Sequence, residues 1–234
     1  MPSAVYKKYV HSNPPKRIVL QRSIMNVLHF IQQNHTEVLE LTAEHLWLVG
    51  ASIVLTVLIG VPLGILITRW PLLDKPVLGS ANIIQTIPSL ALFGFLLPAP
   101  WIGARADRIA ILALTLYALL PLIRNTYTGI KGVDPAVVEA GRGMGMTDRQ
   151  LLWQVEFPLA LSVIIAGIRV ATVLSIGVAT IAAAIGAGGL GEYIFRGLAM
   201  VNNQVILAGA IPAAALAIFA DASLGWLEKR LAPR

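Results

Sequence analysis

Cysteine is absent from the 234 residues, which excludes disulfides and thiolate metal sites. Histidine stops early: His11, His29, His35 and His45 are the whole set. Beyond residue 45 there is no imidazole for a serine–histidine dyad or a zinc protease, and no cluster of carboxylates takes its place, so an intramembrane enzyme lacks its parts. The P-loop pattern G-x-x-x-x-G-K-[ST] is missing, so the chain is not its own P-loop ATPase. Charge is scarce too. Only 13% of residues are charged, where soluble domains have ~25%. Hydrophobic residues make up 56% and the mean hydropathy is +0.74, more apolar surface than an ordinary soluble domain can hide.

What the chain does have is long runs without charge. Residues 46–67, 76–104, 170–191 and 197–220 are uncharged over 22, 29, 22 and 24 residues. A hydrocarbon core of ~30 Å takes about 20 apolar residues of helix, so these runs predict four membrane spans. A fifth is expected over 108–127. Its charge-free centre is short, and Arg108 and Arg124 stand at its ends, where long side chains reach the headgroups. The fold class is therefore all-α integral membrane with about five transmembrane helices. Pro88 is expected to kink the second span. No signal peptide is read, because the first apolar run, near Leu46, has the length of a span.

Three regions follow. Residues 1–24 form a basic extension with Pro14 and Pro15 and hold five of the 18 Lys and Arg. They are expected to be disordered or to lie upstream of a native start at Met25. Residues 25–45 lack Lys and Arg, and Val27, Leu28, Ile31, Val38 and Leu39 recur at helical spacing, which predicts an amphipathic interfacial helix. Residues 46–230 form the transmembrane domain, interrupted by a polar loop over 128–158. If that loop faces the cytoplasm, nine basic residues lie inside (Arg69, Lys75, Arg124, Lys131, Arg142, Arg149, Lys229, Arg230, Arg234) and three outside (Arg105, Arg108, Arg196). That distribution obeys the positive-inside rule and accounts for a pI of about 9.9 without nucleic acid. Five spans then put the N-terminus outside. The basic residues of 1–24 contradict the rule there, and a start at Met25 removes the conflict.

The polar loop carries helix signals. Asp134 followed by Pro135 is a helix entry. Gly143 and Gly145 supply a stop. Thr147 with Gln150 is a capping box for a second helix, which presents Leu151, Leu152 and Val155, and Pro158 marks the turn into the fourth span. The product is a helix–turn–helix at the membrane surface. By itself it could be a simple connector.

The spacing sharpens that reading. Glu139, Ala140 and Gly141, then Gly145, then Val155, Glu156, Phe157 and Pro158 resemble the Glu-Ala-Ala loop of ABC importer permeases. That family's pattern is Glu-Ala-Ala, three residues, Gly, nine residues, Ile, any residue, Leu, Pro. Gly141, Val155 and Phe157 are mild departures. The segments "IIQTIPSLALFGFLLP", "LPLIRNTYTGIKGVD" and "GAGGLGEYIFRGL" are similar to the branch importing glycine betaine, carnitine, choline and related osmoprotectants. The resemblance implies a multi-pass permease of the bacterial cytoplasmic membrane. Its partners would be a cytoplasmic ABC ATPase dimer that binds ATP and Mg, a second permease copy or paralogue, and an extracytoplasmic substrate-binding protein. This chain itself would hold no cofactor and no nucleic acid. The loop would dock in the ATPase through Glu139, Ala140 and Gly145, with Phe157 and Pro158 closing the motif and Arg142, Asp148 and Arg149 as rim charges. A methionine- or amino-acid-type permease is the alternative within the family. A passive channel or secondary transporter does not explain the loop.

Arg169 and Asp221 are charges inside spans at similar depth, and an ion pair, within a subunit or across a dimer, would offset their cost in lipid. Independent snorkelling or a water-filled cavity is the alternative. Thr86, Ser89, Asn125, Thr126 and Tyr127 could line a substrate path, although polar residues in spans more often bond a neighbouring backbone. The small residues of 178–189 suit either a permease–permease contact or ordinary helix packing.

Overall fold

The structure is a computed structural model, and it describes residues 16–98 and 105–232. It is built of helices: α1 (Lys16–Gln33), α2 (His35–Arg69), α3 (Asp74–Thr86), α4 (Ser89–Leu96), α5 (Ala106–Lys131), α6 (Pro135–Gly143), α7 (Asp148–Leu151), α8 (Phe157–Ala182), α9 (Gly191–Ala199) and α10 (Asn203–Leu231). Short 3-10 turns at Pro71–Leu73 and Ala183–Ile185 and a π-turn at Leu152–Glu156 join some of them. Helices α2, α5 and α10 are long and apolar enough to cross a membrane, as is the stretch Asp148–Ile185 that contains α8. A bent pair, Pro71–Thr86 with Ser89–Leu96, supplies the fifth segment.

α5 is the central helix. Of its apolar window 56% is buried, against 28% for α2 and 22% for α10. Its short charge-free centre follows from that position, because protein rather than lipid covers most of it. Arg108 and Arg124 are exposed at its two ends, and Arg124 donates to the Asn82 side chain over 3.1 Å. Small residues let the neighbours approach closely, as membrane packing requires. Ala110 and Ala113 of α5 meet Ala179 and Ala182 of α8, together with Leu48, Val49 and Phe93.

Two differences from the sequence expectation concern breaks. The second span does not merely kink: it bends by 100°. Ile87 takes an extended conformation (ψ 127°), as the residue before Pro88 must, and that ends α3. The Ile87 carbonyl left open accepts a hydrogen bond from the Tyr117 hydroxyl of α5, and Gln85 donates to the Tyr117 carbonyl over 3.1 Å. Conversely, Pro158 does not turn the chain. The helix passes through it, and the ladder widens into the π-turn just before, where Phe157 N–H reaches back to Leu152 O. A proline cannot donate, so the ladder shifts register there instead of breaking.

Residues 25–45 fall on two helices divided at Asn34, and α2 runs on through position 46 without interruption. Val27 and Val38 are buried and Leu28 and Leu39 are exposed. Residues 16–24 lie in α1, while residues 1–15 are outside the described residues.

Candidate functional site

The loop between α5 and α8 folds as the capping signals require. The Asp134 carboxylate accepts from Ala136 N–H over 2.9 Å, with Pro135 at the first helical position of α6. The Thr147 side chain accepts from Gln150 N–H over 3.3 Å, and Gln150 Oε1 accepts from Thr147 N–H over 2.9 Å, a complete capping box for α7. Gly145 joins the helices at φ +82°, a left-handed conformation that a β-carbon disfavours. Gly141 is buried against Leu151, whose Cδ1 would stand 2.8 Å from a β-carbon at 141. That contact pins α6 onto α7 and makes one compact unit. It also accounts for glycine where the importer pattern has alanine.

Glu139, Ala140 and Gly145 are exposed on this unit, Phe157 is half-buried and Pro158 exposed. Val137 and Met144 are also exposed, at 42% and 77%, unusual for large apolar side chains in a polar loop. Arg142 and Asp148 stand 3.9 Å apart and are well solvated. An open cavity of about 760 Å³ separates the unit from the ends of α2 and α5. Its walls include Thr68, Arg69, Lys131, Glu139, Arg142 and Glu156. Glu156 is 6% exposed, and both of its oxygens are held by the Arg69 guanidinium, one bond measuring 3.3 Å.

Arg169 of α8 and Asp221 of α10 are brought together. Arg169 donates from Nε and Nη2 to the two Asp221 oxygens over 2.6 and 2.8 Å, a bidentate fork. Glu228, two helical turns along α10, accepts from Nη1 over 3.2 Å. Gly225 lies between them, and a β-carbon there would stand 3.1 Å from the guanidinium carbon.

Of the five residues considered for a substrate path, two lie at the α3–α4 bend and three are consecutive on α5. Thr86 and Ser89 flank the bend, and the Thr86 hydroxyl donates to its own helix. Asn125 donates to Pro121 O over 2.8 Å and packs on Gly167 of α8. Thr126 is buried against Gly64 of α2, and Tyr127 is half-buried.

At the opposite end of the bundle from the α6–α7 unit, α2 is tied to the glycine-rich segment. Glu37 accepts from the Tyr193 hydroxyl and from Arg196, each over 2.8 Å. Glu44 accepts from Gly189 N–H over 2.9 Å, and His45 Nε2 faces Ile176 O at 3.2 Å. Burial, with the bond to Glu37, pushes the Tyr193 phenol above its ordinary range, and Glu37 raises the Arg196 guanidinium further. Sequence reasoning missed these contacts and the Arg69–Glu156 pair. Glu156 occupies a position of the loop motif that admits any residue, so the pattern passes over it.

Comparison with known proteins decides the family. The pattern of the binding-protein-dependent transport system inner membrane component matches residues 60–233. The chain belongs to that family. The permease is 45% identical to the carnitine transport permease protein OpuCB of Listeria monocytogenes over 208 residues, 89% of this chain and 94% of the relative. It is 44% identical to the glycine betaine/carnitine/choline permease protein OpuCB of Bacillus subtilis (strain 168) over the same shares. Against the osmoprotectant import permease protein OsmW of Salmonella typhimurium the identity is 45%, over 90% of this chain and 99% of that one. Among solved structures, a chain of the MetNI methionine ABC transporter in inward-facing conformations superposes with a TM-score of 0.77. The identity is 22%, and 86% of the permease and 98% of that chain are covered. That likeness shows the fold: an all-α importer permease with four membrane helices and a bent fifth segment. The permease is a transport subunit rather than an enzyme. It is a multi-pass protein of the bacterial cytoplasmic membrane that works with a binding protein. Among the described residues, no group of three or more His, Asp or Glu is arranged to hold a metal ion.

Proposed function

We propose that the permease carries a quaternary-ammonium osmoprotectant, such as glycine betaine, carnitine or choline, into the cytoplasm in an ATP-driven importer. The observation that carries the substrate class is the 44–45% identity, over about nine-tenths of the chain, to relatives named for those compounds. The alternative, a methionine or amino-acid importer, has only backbone likeness behind it, and at 22% identity that speaks for fold alone.

In this reading two permease copies, or this one and a paralogue, form the pathway. An extracytoplasmic binding protein delivers substrate, and two cytoplasmic ATPase subunits bind ATP with Mg. The α6–α7 unit faces the cytoplasm, which the nine-to-three distribution of basic residues favours. It docks on the ATPase through Glu139, Ala140 and Gly145, with the exposed Met144 and Val137 as apolar contacts. The caps at both helices make it stiff enough to transmit displacement. The Arg169–Asp221–Glu228 contact holds α8 to α10 as they move. Residues 25–45 lie at the outer interface.

The test is uptake of labelled glycine betaine at high osmolarity, in a host lacking its own betaine importers and carrying this permease with its ATPase and binding protein. The native chain should import it. Gly145→Glu should abolish uptake at unchanged membrane abundance. No uptake of betaine, carnitine or choline by the native chain would overturn the substrate class, and full uptake by Gly145→Glu would overturn the docking role.

A further inference from the structure

Glu156 is a carboxylate that is only 6% exposed. A buried carboxylate is costly unless it is paired and hydrogen-bonded. Its partner lies 87 residues away in the chain, at the very end of another helix: Arg69 is the last residue of α2. Both Arg69 Nη groups engage both Glu156 oxygens, a fork that resists rotation as well as separation. Arg69 also walls the cavity that the α6–α7 unit faces, so the pair bridges one side of that space.

Connectivity gives this pair its meaning. The α6–α7 unit is continuous in the chain with α5 before it and α8 after it. α2 has no such continuity: it packs on α5 at Gly60 and Gly64, and beyond that contact its last residue reaches the unit directly through Arg69. Glu156 closes the π-turn through which α7 passes into α8, and π-turns inside helices are frequent at functional sites. We infer that the Arg69–Glu156 pair is the joint that makes α2 follow the α6–α7 unit, so that breaking it separates ATP hydrolysis from translocation while the ATPase stays bound. Arg69 and Glu156 are thus positioning residues. The inference rests on the docking role proposed above for the unit.

The experiment uses the whole complex, permease with ATPase and binding protein, in proteoliposomes. The absence of cysteine lets one spin-label pair per permease copy be introduced by Leu72→Cys, just past the end of α2, and Gln154→Cys, in the π-turn. Leu72 is 91% exposed and Gln154 is exposed as well. With the native pair, the 72–154 distance should be the same without nucleotide and with ATP trapped. In Glu156→Gln the two states should differ, uptake per ATP hydrolysed should fall about tenfold, and the ATPase should still co-purify. Arg69→Glu with Glu156→Arg should restore both readouts. An unchanged distance and intact coupling in Glu156→Gln would overturn the inference. So would loss of every pair variant from the membrane, which would make the pair a folding element alone. Co-purification after Gly145→Glu reports on docking separately: if that variant binds the ATPase fully, the docking role fails whatever the spin labels show.

Discussion

Replacing Gly64 by alanine would put a methyl group where α2 and α5 touch. A β-carbon there would stand 2.5 Å from the Thr126 Cβ, 2.7 Å from its Cγ2 and 3.1 Å from the Ile123 carbonyl oxygen. Carbon atoms rest at ~3.5–4.0 Å, so the shortfall is about 1 Å. The atom at 2.5 Å is itself a β-carbon, fixed to the backbone, so no rotamer change relieves the clash and the two helices must part. Overpacking of this kind costs ~1–3 kcal/mol. Alanine returns ~1 kcal/mol of helix propensity over glycine. With the overlap placing the cost at the upper end, the net loss is about 2 kcal/mol, more than tenfold in the unfolding equilibrium. Denaturant unfolding in mixed micelles, followed through the five tryptophans, measures it. The second variant decides the mechanism. Thr126→Gly removes the opposing β-carbon and should recover about 1 kcal/mol of the loss as coupling. Thr126→Ser removes only Cγ2, leaves the 2.5 Å overlap, and should recover little. The Thr126 hydroxyl has no hydrogen-bond partner, so its loss does not confuse the comparison. Equal rescue by serine and glycine, or native stability of Gly64→Ala, would refute the packing argument.

Gly145→Ala should lower the melting temperature of the complex, because a left-handed conformation costs a β-carbon about 1–2 kcal/mol; Gly145→Asn should cost less, and equal melting points would count against the argument. Reversing both charges, Arg169→Asp with Asp221→Arg, should restore the membrane abundance that either single reversal lowers, read by quantitative immunoblot; failure to rescue would mean the two act separately. Tyr117→Phe should destabilise the permease by about 1–3 kcal/mol, the cost of leaving the Ile87 carbonyl unpaired at the bend, and an unchanged unfolding midpoint would argue against that bond.

The membrane helices were legible because lipid imposes one simple rule, a run of about 20 residues without charge. The ends of α6 and α7 were legible for a different reason: Asp134, Pro135, Thr147 and Gln150 act on backbone groups within a few positions of themselves. Local chemistry can be read locally. The Arg169–Asp221 contact could be anticipated from cost, since two charges in spans at one depth need partners, but Glu228 sits nearer the interface and gives no such signal. The Arg69–Glu156 pair joins positions 87 apart, and each residue alone looks like an ordinary loop charge. The break at Pro88 was visible, but its 100° was not, because the angle depends on what covers the freed carbonyl, and that is Tyr117 on a later helix. Helix α2 ran past its expected start because nothing near position 45 stops a helix, although Glu37, Glu44 and His45 are polar.

The bent segment bears on how the chain enters the bilayer during synthesis. The stretch Pro71–Thr86 has 16 residues and Ser89–Leu96 has eight, so the two arms measure roughly 24 and 12 Å at 1.5 Å per residue. Bent by 100° from a straight line, these two arms reach roughly 25 Å from end to end, short of the ~30 Å hydrocarbon core. The backbone at their junction is open, and lipid tolerates that poorly. Such a bend lacks the bond that covers it when it first leaves the translocon. That bond comes only once α5 has been made and brings the Tyr117 hydroxyl to the Ile87 carbonyl. The second segment therefore completes its packing only after the span that follows it. A nascent chain cut after residue 98 would hold its first helix in the membrane and leave the second segment without a stable place.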